Sequence, residues 1–200
     1  MHDNTVHHWS AIRRVSTEVL NLTGSHRGAG RVQISTLCVH RGLLLAGGFN
    51  GELVARRLAS PGLAYASRIT HDENAITNAI EVYGGGGGGC GWEGVGASGV
   101  RGDDGGGSTS ACCVGPLRIM ASNNDCAVRT FDATSFALLS RFTFPWAVNF
   151  TTVSPGGQLL CVAGDDPAVL LCDAASGKTV TTLKGHHDFS FGASWHPVSE

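Results

Sequence analysis

Short apolar runs broken by turn residues recur along the chain, and they predict strands throughout. Residues 32–40 mix β-branched and apolar side chains and predict a first strand. Residues 43–48 follow the Arg41-Gly42 turn, and Phe49-Asn50-Gly51 leads into 52–58. An Asn-Gly pair between apolar runs is a strong hairpin signal, because both residues tolerate positive φ. Ser60-Pro61-Gly62 turns the chain again, and 64–69 closes a four-strand unit. A second unit opens at 76–83, resumes at 117–122, and continues through 127–131 and 138–144. A third runs 148–154, 158–163, 168–172 and 179–183, with Ser154-Pro155-Gly156-Gly157 and Ala175-Ser176-Gly177-Lys178 as turns. Residues 189–195 predict the first strand of a fourth unit. The best helical candidate, 15–22, is rich in β-branched residues and suits an arm or a strand equally well.

These units share a register. Gly47-Gly48-Phe49-Asn50-Gly51, Ser122-Asn123-Asn124-Asp125-Cys126 and Ala163-Gly164-Asp165-Asp166-Pro167 are the same turn between apolar runs. The second and third copies begin 41 residues apart, at 122 and 163. The first and second begin 75 apart, which becomes 43 once the 32-residue block 84–115 is set aside. A step of about 40–45 residues with several short strands per unit is the signature of propeller blades, whose sheets cannot hide both faces alone. The predicted fold is therefore all-β: a partial, open β-propeller of about three four-stranded antiparallel blades plus one extra strand. Residues 1–31 form an N-terminal arm, and 32–200 form the propeller segment. The block 84–115 holds 15 glycines in its 32 residues and is expected to be a disordered loop within one blade.

Charge narrows the choice of partners. The formal net charge is −2, and only 15% of residues are charged, so no basic field exists to hold nucleic acid or an anionic membrane. The start is polar and rich in histidine, with no apolar leader core, and no apolar run is long enough to span a membrane. An intracellular setting is expected, cytoplasmic or nuclear. The seven cysteines include no C-x-x-C pair, which points to reduced thiols rather than a zinc site or disulfide framework.

The repeated units resemble the tryptophan-aspartate (WD) repeat family of β-propellers. Gly185-His186 matches the pair that opens a repeat in that family. Asp125 and Asp166 match the acid between second and third strands, with Asn50 in that place in the first unit. Phe131-Asp132 and Cys172-Asp173 stand where the closing Trp-Asp dipeptide belongs, and Arg56-Arg57 stands there in the first unit. The wording of the last two units is most similar to uncharacterised WD-repeat proteins of plants, algae and fungi. The resemblance implies a buried network in which an opening histidine serves the turn acid. His71 would serve Asp125, and Pro145-Trp146 replaces the histidine of the third unit. An aspartate for His186 would fall beyond residue 200. Closed propellers have about 4–8 blades, so the expectation is a fragment or truncated form of a longer chain, or one part of a larger assembly.

Candidate chemistry weakens on inspection. The six consecutive glycines from 84 satisfy G-x-G-x-x-G by composition alone, and low-complexity sequence follows instead of a helix. Ser176-Gly177-Lys178-Thr179 echoes the end of a phosphate loop, but Cys172 occupies the place of its first glycine. Arg101-Gly102-Asp103 lies in the glycine block and reads as coincidence. Asp165-Asp166 with His186-His187-Asp188 suggests a metal or acid-base cluster, yet Asp166 and His186 already have repeat roles. Trp92 and Trp146 are candidate contact aromatics. These readings assign no catalytic residue, cofactor or metal. The expected function is a non-enzymatic scaffold that binds other proteins or peptides, with no small-molecule substrate. The first alternative is a nucleic-acid-associated scaffold, for which steep salt dependence of binding is the test. The second is a propeller hydrolase, tested by substitution at Asp165 and His187.

Overall fold

The computed structural model of the chain describes residues 5–10, 15–21, 33–60, 62–72, 75–84 and 116–196. Fourteen strands form one hairpin and three four-stranded sheets. The hairpin pairs β1 (Thr5–Ser10) with β2 (Val15–Asn21). The first sheet runs β3 (Ile34–His40), β4 (Leu43–Gly48), β5 (Glu52–Arg57), β6 (Tyr65–Arg68). The second runs β7 (Thr77–Tyr83), β8 (Arg118–Asn123), β9 (Ala127–Asp132), β10 (Leu138–Thr143). The third runs β11 (Val148–Val153), β12 (Leu159–Gly164), β13 (Asp166–Asp173), β14 (Thr179–Leu183). Every sheet is an antiparallel meander in chain order. Among the described residues no helix is long and apolar enough to cross a membrane.

The sheets stack face on face because alternate side chains of each strand point to opposite sides. On β8, Ile119 and Ala121 join Leu43, Leu45 and Leu53 of the first sheet in one apolar layer. Met120, between them, points the other way and packs with Leu160 and Val162 of the third sheet. Two more layers lie on the outer sides of the stack. Leu44, Ala46 and Val54 of the first sheet receive Val6 from β1. Cys161, Ala163 and Val169 of the third sheet receive Ala193 and Trp195. Leu53, Ile119, Met120 and Leu160 have no measurable exposure, and each fully buried side chain of this kind stabilises the fold by about 1.5–3 kcal/mol.

Two elements stand apart from the repeated sheets. Residues 5–10 and 15–21 pair as a two-stranded ladder, so the strand reading of 15–22 is the one observed. Residues 189–195, whose composition predicts a strand, form no ladder among the described residues; the Ser190 amide instead donates to the Gly164 carbonyl at 3.2 Å. The glycine-rich block leaves the second sheet between register partners Tyr83 and Arg118, where the other sheets have tight turns. Its expected disorder, Trp92, Cys90, Cys112, Cys113 and Arg101-Gly102-Asp103 lie outside the described residues.

Candidate functional site

Polar groups between the sheets begin with a repeated backbone device. Each first strand carries an irregularity at its second residue: Ser35 in β3, Asn78 in β7, Asn149 in β11. A bulge re-aims its side chain, and here each one reaches the next repeat. Ser35 Oγ donates to the Thr77 carbonyl at 2.6 Å, Asn78 Nδ2 to the Val148 carbonyl at 2.8 Å, and Asn149 Nδ2 to the Ser190 carbonyl at 3.5 Å. The same amides also bond the turn residues, Asn78 to Asn124 at 2.5 Å and Asn149 to Asp165 at 2.9 Å.

Asp125 lies in the turn between β8 and β9, and its side chain is 4% exposed. Arg129 forks onto it, with Nη1 donating to Oδ1 at 3.0 Å and Nη2 to Oδ2 at 2.5 Å. The same Nη1 donates to Asn123 Oδ1 at 3.2 Å, and Asn123 Nδ2 donates to Thr77 Oγ1 at 3.0 Å. Thr77 Oγ1 in turn donates to the Glu52 carbonyl of the first sheet at 3.2 Å. Burial alone would push the Asp125 carboxyl up; the Arg129 hydrogen bonds and charge, with help from Thr70 and Arg141, hold it below its usual value. The resemblance placed His71 on Asp125. His71 is instead exposed, and Thr70 and Arg129 serve the carboxylate. A neutral histidine offers one donor, whereas the guanidinium supplies two parallel ones and the compensating charge a buried carboxylate requires.

In the third sheet Asp166 accepts from the Ala168 backbone at 2.7 Å and so is spent on its own turn. The wedge filled by Asn123 and Arg129 in the second sheet holds Gly164 and Leu170 here, with the Trp146 ring lying against Gly164. Trp146 also stacks on Phe144, with ring centroids 6.0 Å apart.

Phe131 and Cys172 take the closing aromatic's place and are buried, at 4% and 0% exposure. Asp132 and Asp173 cap the following turns. Asp132 Oδ1 accepts from the Ser135 amide at 2.7 Å and its hydroxyl at 2.9 Å. Asp173 Oδ1 accepts from the Ser176 amide at 2.7 Å and its hydroxyl at 2.6 Å. These serine hydrogen bonds hold both carboxyls below their usual values. Ser176-Gly177-Lys178-Thr179 is thus the turn from β13 to β14, with Gly177 at φ 70°. Burial pushes the Cys161 thiol up to about 11, so it behaves as a core group.

Glu81 of β7 is a half-buried acid that the sequence pattern did not single out. It accepts from Thr152 Oγ1 at 3.1 Å and from the Val153 amide at 2.8 Å, tying the second sheet to the third. Burial raises its carboxyl to about 7, against the opposing pull of those two hydrogen bonds. Gly185 is exposed at φ 146°. His186 lines a cavity of about 310 Å³ with Leu171, Leu183 and Trp195, and no acidic side chain lines that cavity. Asp165 bonds Asn149, and His187 is exposed, so this group does not assemble. No three His, Cys, Asp or Glu side chains come together as a metal set among the described residues.

A chain of the crystal structure of the mitotic checkpoint complex superposes on this one with a TM-score of 0.59 at 15% identity, over 92% of this chain. That neighbour is a WD-repeat propeller. The fold here is an open, partial β-propeller. The chain spans 45% of the length of that neighbour. The likeness is shared with 951 chains of solved structures, so it fixes the architecture and leaves the activity open. No protein-family model and no curated protein matches the chain by sequence. The three sheets are its blades, with β3, β7 and β11 abutting in succession.

Proposed function

We propose that the chain is a non-enzymatic scaffold of the WD-repeat type, working inside the cell and binding another protein or peptide. Its blades would hold apolar side chains at fixed positions, so that a partner meets a preorganised surface. The observation that carries this reading is a set of exposed apolar side chains between 180 and 191. Val180, Leu183, Phe189 and Phe191 are 62%, 49%, 50% and 72% exposed, and Leu183 lines the cavity at Trp195. Large exposed apolar patches mark interaction surfaces, and aromatic groups anchor them. The checkpoint-complex chain works within a multiprotein assembly, which is a role of the same class. Nothing in this reading requires a cofactor, a metal, a membrane or nucleic acid. In this reading Asp125, Phe131, Asp132, Asp166 and Asp173 have structural rather than catalytic roles, and His71, Gly185 and His186 carry no catalytic role.

The test is binding of the purified chain to a displayed peptide library, followed by titration of the selected peptides. Saturable binding that weakens at least tenfold in Phe191→Asp is expected. Failure to select any peptide, or hydrolytic turnover that disappears in Asp165→Asn or His187→Ala, overturns the reading.

A further inference from the structure

One peptide group in the third blade is gripped from two sides by different parts of the chain. Its N–H, on Val153, donates to Glu81 Oε2 of the second blade at 2.8 Å. Its carbonyl, on Thr152, accepts from Trp195 Nε1 at 3.2 Å. The Thr152 hydroxyl lies 3.1 Å from Glu81 Oε1, so two bonds fix the carboxyl beside this one unit. The Trp195 side chain packs on the outer face of the same sheet, against Cys161, Ala163 and Val169. Thr152 is opposite Cys161 in the ladder; a carbonyl oxygen has two lone pairs, so it can receive the indole beside a ladder partner.

The N–H and C=O of a trans peptide point opposite ways and form one dipole of about 3.5 D. A negative charge at the N–H end pushes electron density onto the carbonyl oxygen, which then accepts more strongly from Trp195. Polarisation of this kind strengthens a linked hydrogen bond by roughly 10–30%. A neutral carboxyl fits the same geometry with less pull: its hydroxyl turns to Thr152 Oγ1 and its carbonyl accepts from Val153. The two protonation states of Glu81 therefore keep the same partners and differ in how firmly the far side is held.

We propose that Glu81 and Trp195 form a proton-operated relay through this peptide group: ionisation of Glu81 tightens the seating of Trp195 on the third blade, and protonation loosens it. Gly192, Ala193, Ser194 and Trp195 form one wall of the cavity of about 310 Å³, so the relay sets how firmly that wall is held. Few other groups compete. Of the elements packed against β7, β4 and β11 carry no titratable side chain, β8 carries Arg118, and β3 carries Cys38 and His40; β7 itself adds Tyr83. None of these contributes to the Glu81 shift, which burial raises to about 7 against the two hydrogen bonds. On the Trp195 side the cavity is lined by His186 and by Cys161, whose thiol burial pushes up to about 11. The relay is separate from the scaffold reading and holds whatever the chain binds.

Nuclear magnetic resonance of the whole isotopically labelled chain across a pH series tests it. Trp195→Phe assigns the Trp195 indole signal among the chain's four tryptophans. That indole proton is expected to move downfield as pH rises through about 7, the mark of a strengthening hydrogen bond, and to stay at its low-pH position in Glu81→Gln. His186→Gln is expected to leave the response intact. Linkage makes the coupling reciprocal, so loss of the indole donor in Trp195→Phe is expected to raise the Glu81 midpoint, read from its carboxyl carbon signal. An indole signal that is flat, moves upfield, or follows His186 instead of Glu81 overturns the proposal, as does a Glu81 midpoint unmoved in Trp195→Phe. Should Glu81→Gln fail to fold, the midpoint in Trp195→Phe decides alone, because that variant leaves Glu81, Thr152 and Val153 in place.

Discussion

The second and third blades share a backbone and fill the same wedge with opposite chemistry. In the second, Asn123, Asp125 and Arg129 form a buried polar network that reaches the first blade through Thr77. In the third, the equivalents are Gly164, Asp166 and Leu170, and the Trp146 ring fills the space beside the glycine. The blade geometry is set by strand length, turn position and the inter-blade bonds of Asn78 and Asn149. The contents of the wedge are interchangeable as long as each polar group is paired or each apolar group packed. A network fails when one member is lost, whereas an apolar plug fails when its shape is disturbed.

The largest expected effect breaks the polar side of this comparison. Arg129→Leu installs the third blade's residue but strands the Asp125 carboxylate, at a cost of about 3–5 kcal/mol. Adding Asp125→Asn removes the stranded charge and recovers part of the loss. Urea unfolding of both variants and of Asp125→Asn alone completes the cycle; equal costs for the single and double variants would show that the ion pair does not govern the wedge.

Next comes Glu81, the acid at the interface between the two blades. It ionises near its ordinary 4.5 when the chain is unfolded, and at about 7 when folded. The stability from burying its neutral form is complete below pH 4.5 and disappears as pH rises through 7. Unfolding free energy is expected to fall across that window by on the order of 3 kcal/mol. The fall is expected to vanish in Glu81→Gln. The depressed carboxyls Asp125, Asp132 and Asp173 act in the other sense, losing stability as pH falls below the ordinary aspartate range. A flat profile in the unmodified chain between pH 4.5 and 7 would count against a buried Glu81.

The apolar side is tested by Gly164→Ala. A Cβ there meets the Trp146 ring and the Ala147 carbonyl, and overpacking of this kind costs about 1–3 kcal/mol. Combining it with Trp146→Leu opens space and is expected to relieve part of the strain. The smallest effects belong to Asp132→Ala and Asp173→Ala. Each removes the same serine-capped turn, so the two melting temperatures are expected to drop alike; a large gap between them would mean the turns are not equivalent.

Much of this architecture was legible in the chain. The strands follow from β-branched runs bounded by Asn-Gly, Ser-Pro-Gly and Ser-Gly turns, which are local signals, and the observed ends fall within two residues of the expected ones. Pairing chemistry was less legible because it depends on neighbours distant in sequence. Arg129 lies four residues from Asp125, yet nothing local says that strand β9 aims it inward. Glu81 sits on strand β7, and its partners Thr152 and Val153 lie about 70 residues away on β11, so nothing local announces them. The second residue of each first strand did carry a readable signal, since Asn78 and Asn149 occupy the same place in the repeat. Residues 189–195 show the converse, a strand-like sequence that forms no ladder among the described residues.

The claim beneath all of this is that three separate sheets stack face on face, each reading both neighbours. Methyl nuclear Overhauser spectra of the isotopically labelled chain test it directly. Ile119 is expected to show contacts to Leu45 and Leu53 of the first blade, and Met120 to Leu160 and Val162 of the third. Direct contacts between Leu45 and Leu160, which lie in different layers here, would mean that the first and third sheets face each other as a sandwich and would contradict the stack.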